Sequence, residues 1–194
     1  FGDINKVLKG IKEALNNDIK VKINTVVIKD FNENEIEDLI FWSNKNKIDI
    51  TFIEVMPMEE TGLARELQFV SLSDIFEKLN LKYNFTKSDH NTGGPARYYI
   101  SDQLRIKIGF ISPLTNNFCA NCNRVRISST GKLFMCLGQN DYVDFRKIMR
   151  QDYTDEYIKE KIKFALNIKP KSHDFMIGSN INQYMKRHMN VTGG

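Results

Sequence analysis

The sequence predicts an α/β layer followed by a smaller α+β part. Three observations carry that prediction. Apolar segments over residues 19–58 run strand, helix, strand; the texture changes after residue 60; and two hairpin patterns follow, the second carrying every cysteine of the chain. At 194 residues the chain is long enough to bury a sizeable core, as one domain or as two small ones. Its 41% hydrophobic and 27% charged residues are ordinary for a soluble globular protein.

Each element has its own signal. Asp3 is a good N-cap, and Ile4, Val7, Leu8, Ile11 and Leu15 then fall on one helical face. The segment 19–29, IKVKINTVVIK, sets Ile19, Val21 and Ile23 against Lys20, Lys22 and Asn24, the alternation of a strand. FNENEIEDLIFWSNKNK is a second helix with Ile36, Leu39 and Ile40 inward, and IDITFIEVMPM (48–58) is a second strand. Strand, helix, strand at this spacing implies parallel strands, whose carboxyl ends gather ligands near Lys29 and Asp30 and near Met56 and Pro57. After residue 60, SLSDIFEKLN is a short helix capped by Ser71 or Ser73. ARYYISDQLRIKIGFIS (96–112) is a hairpin turning at Ser101 to Gln103. RVRISSTGKLFMCL (124–137) is another, with the turn Ser-Thr-Gly-Lys. YTDEYIKEKIKFALNI (153–168) is an amphipathic helix through Tyr157, Ile158, Ile162 and Leu166, and the tail from Lys169 is polar. The opening FGDINKVLKGIKEAL, starting on Phe1 and entering a helix at once, reads as a longer protein cut at a βα junction, with N-terminal processing as the alternative.

Charge and cysteine usage narrow the partners. A net charge of +4 suits a phosphate-bearing ligand but is too weak to argue for nucleic acid. Three cysteines are no disulfide framework, so a reducing, cytoplasmic setting is expected. The residues show no signal-peptide pattern and no apolar run near the roughly 18 residues that span a bilayer, so no membrane partner is expected.

The chemistry concentrates in FCANCNRVRISSTGKLFMCLG, where Cys119, Cys122 and Cys136 follow the pattern C-x2-C-x13-C. Two cysteines separated by two residues can clamp one metal centre from a single turn, and the turn at Thr130 and Gly131 can bring the third back beside them. Two centres fit. A structural zinc needs a fourth ligand, and His90, His173 and His188 are all distant in sequence. A cubane iron–sulfur cluster on three thiolates keeps one iron open to a nitrogen or oxygen of a substrate. Arg124 and Arg126 alternate on the strand leaving the loop, and their guanidinium forks suit phosphate or carboxylate. Without the cysteines they would read as a solvated strand face.

TGGPARYYI, KIGFISPLTNNFCANCNRVRISSTGKLFMCLG and the terminal TGG resemble the C-terminal half of the GTP 3′,8-cyclase family of radical S-adenosylmethionine enzymes, also called molybdenum cofactor biosynthesis protein A. The similarity runs from the first helix to the last residue. It implies the C-terminal part of an incomplete (β/α)6 TIM-type barrel over residues 1–60, and a molybdenum cofactor synthesis domain over 61–194 that holds a 4Fe–4S cluster. It also implies conversion of GTP to 3′,8-cyclo-7,8-dihydro-GTP in molybdopterin biosynthesis. By the resemblance, Cys119, Cys122 and Cys136 hold the cluster with the purine on its open iron. Lys22, Arg124, Val125 and Arg126 bind GTP, and the main chain of Met56 touches S-adenosylmethionine. Gly193 and Gly194 match a double-glycine tail that reaches the active site. From the residues alone, Lys22 is one solvent-facing member of an alternating strand and Met56 is core filler. One departure stands out: the family's first cluster sits on C-x3-C-x2-C, which this chain does not contain, so the chain alone is expected to be inactive. A homodimer is among the expected partners. The other reading is a zinc- or cluster-stabilised binding module without catalysis, engaging nucleic acid through its basic surface. Tyr98 and Tyr99 read better as hairpin residues than as a stacking platform for bases.

Overall fold

The structure, a computed structural model, describes residues 2–56, 67–151 and 153–173. The chain divides into two compact units, one drawn from residues 1–55 and 70–115, the other from 56–69 and 116–194. Pro57, His188 and the Gly193–Gly194 tail lie outside the described residues.

In the first unit, α1 (Ile4–Asn16) begins where Asp3 accepts the Asn5 N–H at 3.0 Å. Asp18, in left-handed backbone, then closes the helix end, and the Ile19 N–H still bonds the Ala14 carbonyl. The strand β1 therefore runs over Lys22–Val27, not from residue 19. After it come α2 (Ile36–Asn46) and β2 (Asp49–Glu54), and the two strands pair in parallel from Lys22 beside Asp49 to Val27 beside Glu54. This is the predicted strand–helix–strand unit. α2 buries Ile36 and Ile40, with Leu39 against the same core. The predicted stripe of α1 is different: Ile4, Val7 and Leu8 are exposed among the described residues.

The helix α3 (Leu72–Tyr83) is capped by Ser71, whose hydroxyl accepts the Asp74 N–H at 3.2 Å. It is followed by β3 (Thr86–Lys87), β4 (Arg97–Ile100) and β5 (Ile108–Ile111). β4 and β5 pair antiparallel as predicted, through a longer connection than a tight turn. β5 also lies parallel against β2, giving the sheet order β1-β2-β5-β4-β3 with β1 on an edge. The change of texture at residue 60 is thus not where the compact units divide, because residues 70–115 return to the first sheet. Ile50 and Phe52 of β2 and Ile108 and Phe110 of β5 point to the face covered by α2 and α3. The alternate residues Thr51 and Gly109 lie beside Tyr98 on the opposite face.

The second unit holds a small antiparallel sheet of β6 (Arg126–Ile127), β7 (Lys132–Phe134) and β8 (Tyr142–Asp144). Gly131, at φ +77°, makes the predicted turn between β6 and β7, and a Cβ there would come within 2.7 Å of Arg146. The third strand was not legible in the sequence. α4 (Phe145–Met149) and α5 (Asp155–Asn167) follow, and Leu133, Met135, Phe145 and Ala165 form the core. The predicted face of α5 is corrected: Ile162 and Leu166 are exposed, while Ala165 is fully buried and Ile158 packs beside it.

Candidate functional site

Cys119 opens a single 3-10 turn, Cys119–Asn121, in which the Cys122 N–H donates to the Cys119 carbonyl at 3.0 Å. Asn117 Oδ1 accepts the Cys119 N–H at 2.6 Å and fixes the entry to the turn. Cys136 follows β7 on the returning arm of the hairpin. All three cysteines are free and half-buried. Burial pushes the Cys136 thiol up, as do the neighbouring Cys119 and Cys122, while the Gly138 N–H and Lys169 act the other way. The Gly138 N–H donates to Cys136 Sγ at 3.4 Å. Among the described residues, no three His, Cys, Asp or Glu side chains are gathered in the manner of a single-ion site. A centre bound by all three sulfurs would have to draw the loop in around it, with binding supplying the free energy for that movement. The donor set suits such a centre, since a backbone N–H and an ammonium group directed at sulfur both favour the thiolate.

Arg124 and Arg126 are half-buried and alternate with the exposed Asn123, Val125 and Ile127. Lys169, read from sequence only as the start of a polar tail, lies at the same place. Its Nζ donates to the Arg124 carbonyl at 2.8 Å and to the Met135 carbonyl at 2.6 Å, and stands 4.0 Å from Cys122 Sγ.

In the first unit, Lys22 donates from Nζ to the hydroxyl of Tyr98 at 3.1 Å. Tyr98 is 1% exposed, and the Thr92 hydroxyl lies 3.3 Å from its oxygen. The His90 ring meets the Tyr98 ring edge-on at 4.8 Å. Burial alone pushes the Tyr98 phenol up; Thr92, Lys22 and Thr51 together outweigh it and leave the phenol below its ordinary range. Thr51 Oγ1 is buried and makes no hydrogen bond within ordinary geometry, so Thr92 and Lys22 are the partners that hold the phenol. Gly109 makes room for this arrangement, because a Cβ there would sit 2.6 Å from Thr51 Oγ1 and 3.0 Å from the Tyr98 ring. Tyr98 is therefore more than the hairpin residue that its sequence context suggested.

Met56 is half-buried just past the end of β2, and it falls in the second unit. Two residues before it, Glu54 is a buried carboxylate that sequence reasoning passed over, although an acid set between the apolar Ile53 and Val55 was a usable signal. Its oxygens accept the Leu72 N–H at 3.2 Å, the Leu114 N–H at 2.9 Å and the Thr115 N–H at 3.2 Å, and also the Thr115 hydroxyl. The carboxylate thus ties the end of β2 to the start of α3 and to the chain following β5. Lys22 belongs to the first unit; the three cysteines, Arg124, Val125 and Arg126 belong to the second.

Comparison with known proteins adds two findings. The family model described as Molybdenum Cofactor Synthesis C matches residues 48–175. The whole chain is also 45% identical to proteins named GTP 3',8-cyclase from Brucella ovis, Brucella canis and Brucella suis, and spans 57% of the length of each.

Proposed function

Since the chain belongs to the Molybdenum Cofactor Synthesis C family, we propose that it is the GTP- and 4Fe–4S-binding C-terminal portion of a GTP 3′,8-cyclase acting in molybdopterin biosynthesis. One observation carries the reading. A single hairpin bears three free, half-buried cysteines, and two arginines follow directly on its first arm. Cys119, Cys122 and Cys136 would hold the cluster, which when bound offers an iron open to a substrate nitrogen or oxygen. Arg124 and Arg126 bind the GTP phosphates by charge-assisted hydrogen bonds, with the Val125 main chain between them. Lys22, held by Tyr98, is a further GTP contact. The Met56 main chain contacts S-adenosylmethionine. The parallel unit β1–α2–β2 is the last part of an incomplete (β/α)6 barrel, and a homodimer and a cytoplasmic location belong to the same proposal. Among the described residues, no helix is long and apolar enough to cross a membrane.

Anaerobic reconstitution followed by iron, sulfide and zinc analysis tests the centre. About four irons with matching sulfide per chain are expected. One equivalent of zinc and no sulfide would instead support a binding module without catalysis. On reconstituted protein, Arg124→Ala and Arg126→Ala should each weaken GTP binding by about 1.5–3 kcal/mol, the worth of a hydrogen bond to a charged group. Lys159→Ala, exposed on α5, should leave it unchanged. Equal losses in all three would point to diffuse charge attraction.

A further inference from the structure

Lys169 stands two residues beyond the last residue of α5, and its ammonium group has three donors to place. Two of them go to main-chain carbonyls on opposite arms of the cysteine hairpin. The Arg124 carbonyl, at 2.8 Å, is two residues beyond Cys122, and the Met135 carbonyl, at 2.6 Å, immediately precedes Cys136. The remaining side of the ammonium faces sulfur, with Cys122 Sγ at 4.0 Å. A solvated surface lysine gains little from a fixed geometry, because ordering its long side chain costs rotamer entropy. Here two carbonyls and a neighbouring sulfur hold the group in a half-buried position.

We propose that Lys169 is the positioning cation of the three-cysteine centre, clamping both arms of the hairpin through the Arg124 and Met135 carbonyls and setting a positive charge against the Cys122 sulfur. Three thiolates that converge on one centre bring three negative charges together, and a fixed ammonium beside them offsets part of that repulsion. The same clamp holds the main chain of Arg124, so it links the geometry of the metal ligands to the first residue of the proposed GTP segment. Lys169 touches no reacting atom in this role; it acts through Cys122 and through the backbone. The inference rests on the reading that the three thiols hold a metal centre.

The test uses the whole chain, reconstituted anaerobically, as wild type, Lys169→Met, Lys169→Gln and Lys169→Arg. A nearby cation favours the more negative, reduced state of a cluster. Lys169→Met and Lys169→Gln should therefore shift the midpoint potential to more negative values, while Lys169→Arg stays near wild type. Loss of iron to a chelator should be about tenfold faster or more in Lys169→Met, the usual scale for a residue that supports metal ligands. Lys169→Gln can keep a hydrogen bond without the charge, so it separates charge from fold. An unchanged potential together with an unchanged rate of iron loss in both neutral variants overturns the inference, and so does a purely thermal destabilisation at wild-type potential. If the wild type takes up zinc, the cluster reading fails, and the role of Lys169 is read from the rate of zinc loss. Acceleration in Lys169→Met supports it, and an unchanged rate overturns it.

Discussion

Tyr98 and Lys22 show how far a single residue can be read. The alternation in VKINTVV places Lys22 on the polar side of β1, and that was legible. Its anchor was not, because Tyr98 lies 76 residues away and reaches Lys22 only once β2 and β5 are set between their strands. The lowered phenol gives a direct test. Lys22→Met removes both a hydrogen bond and a charge, so the Tyr98 phenol should rise toward its ordinary range. The readout is the alkaline absorbance titration, with Tyr98→Phe subtracted to isolate this group. The sign of the stability effect follows from linkage: below the lowered folded value the phenol is protonated in both folded and unfolded chains, and the interaction adds nothing there through ionisation. A stabilising contribution should develop in wild type as pH rises through the lowered folded value, and it should be smaller in Lys22→Met. A phenol titration unaltered by Lys22→Met would show that the contact at 3.1 Å does not govern Tyr98.

Helical periodicity marks an apolar stripe but not what covers it, and α1 and α5 illustrate the point at the level of elements. In α5 the apolar residues Tyr157, Ile158, Ile162 and Leu166 suggested one face, yet the core takes Ala165 and Ile158. Ala165 packs with Leu133, Met135 and Phe145, so the smallest apolar residue of α5 is the most buried one. Ala165→Leu should destabilise the second unit by about 1–3 kcal/mol through overpacking. Leu166→Ala should change stability by about 0.5 kcal/mol or less. Denaturant unfolding of the two variants checks the order, and a larger loss in Leu166→Ala would restore the face expected from sequence. The strand pattern had a similar limit. The β4–β5 hairpin is a local signal and was legible, but the parallel pairing of β5 with β2 joins segments about 58 residues apart, which no local pattern records.

For the whole molecule, the proposed assignment of the three cysteines to the GTP side predicts a product that is not made. Reductive cleavage of S-adenosylmethionine needs a cluster whose open iron chelates the amino acid part, and this chain has three cysteines, all assigned to the other centre. Anaerobically reconstituted and reduced with GTP present, these 194 residues should therefore yield no 5′-deoxyadenosine above background by chromatography of the quenched reaction. A GTP-dependent rise in that product would overturn the assignment of the cysteines to the GTP side. The sequence by itself determined the parallel β1–α2–β2 unit, the cysteine hairpin with its Gly131 turn, and the likeness to a cyclase family. All of these rest on spacing within short stretches, where backbone period, turn chemistry and ligand reach are local properties. Tertiary structure alone decided that residues 70–115 return to the first sheet, that Tyr98 and Gly109 make the seat of Lys22, and that Lys169 closes on the cysteine arms. Those placements depend on which distant backbone carbonyls, hydroxyls and vacant glycine sites come within about 3 Å of a side chain, the range of a hydrogen bond. Only the packed chain brings them that close.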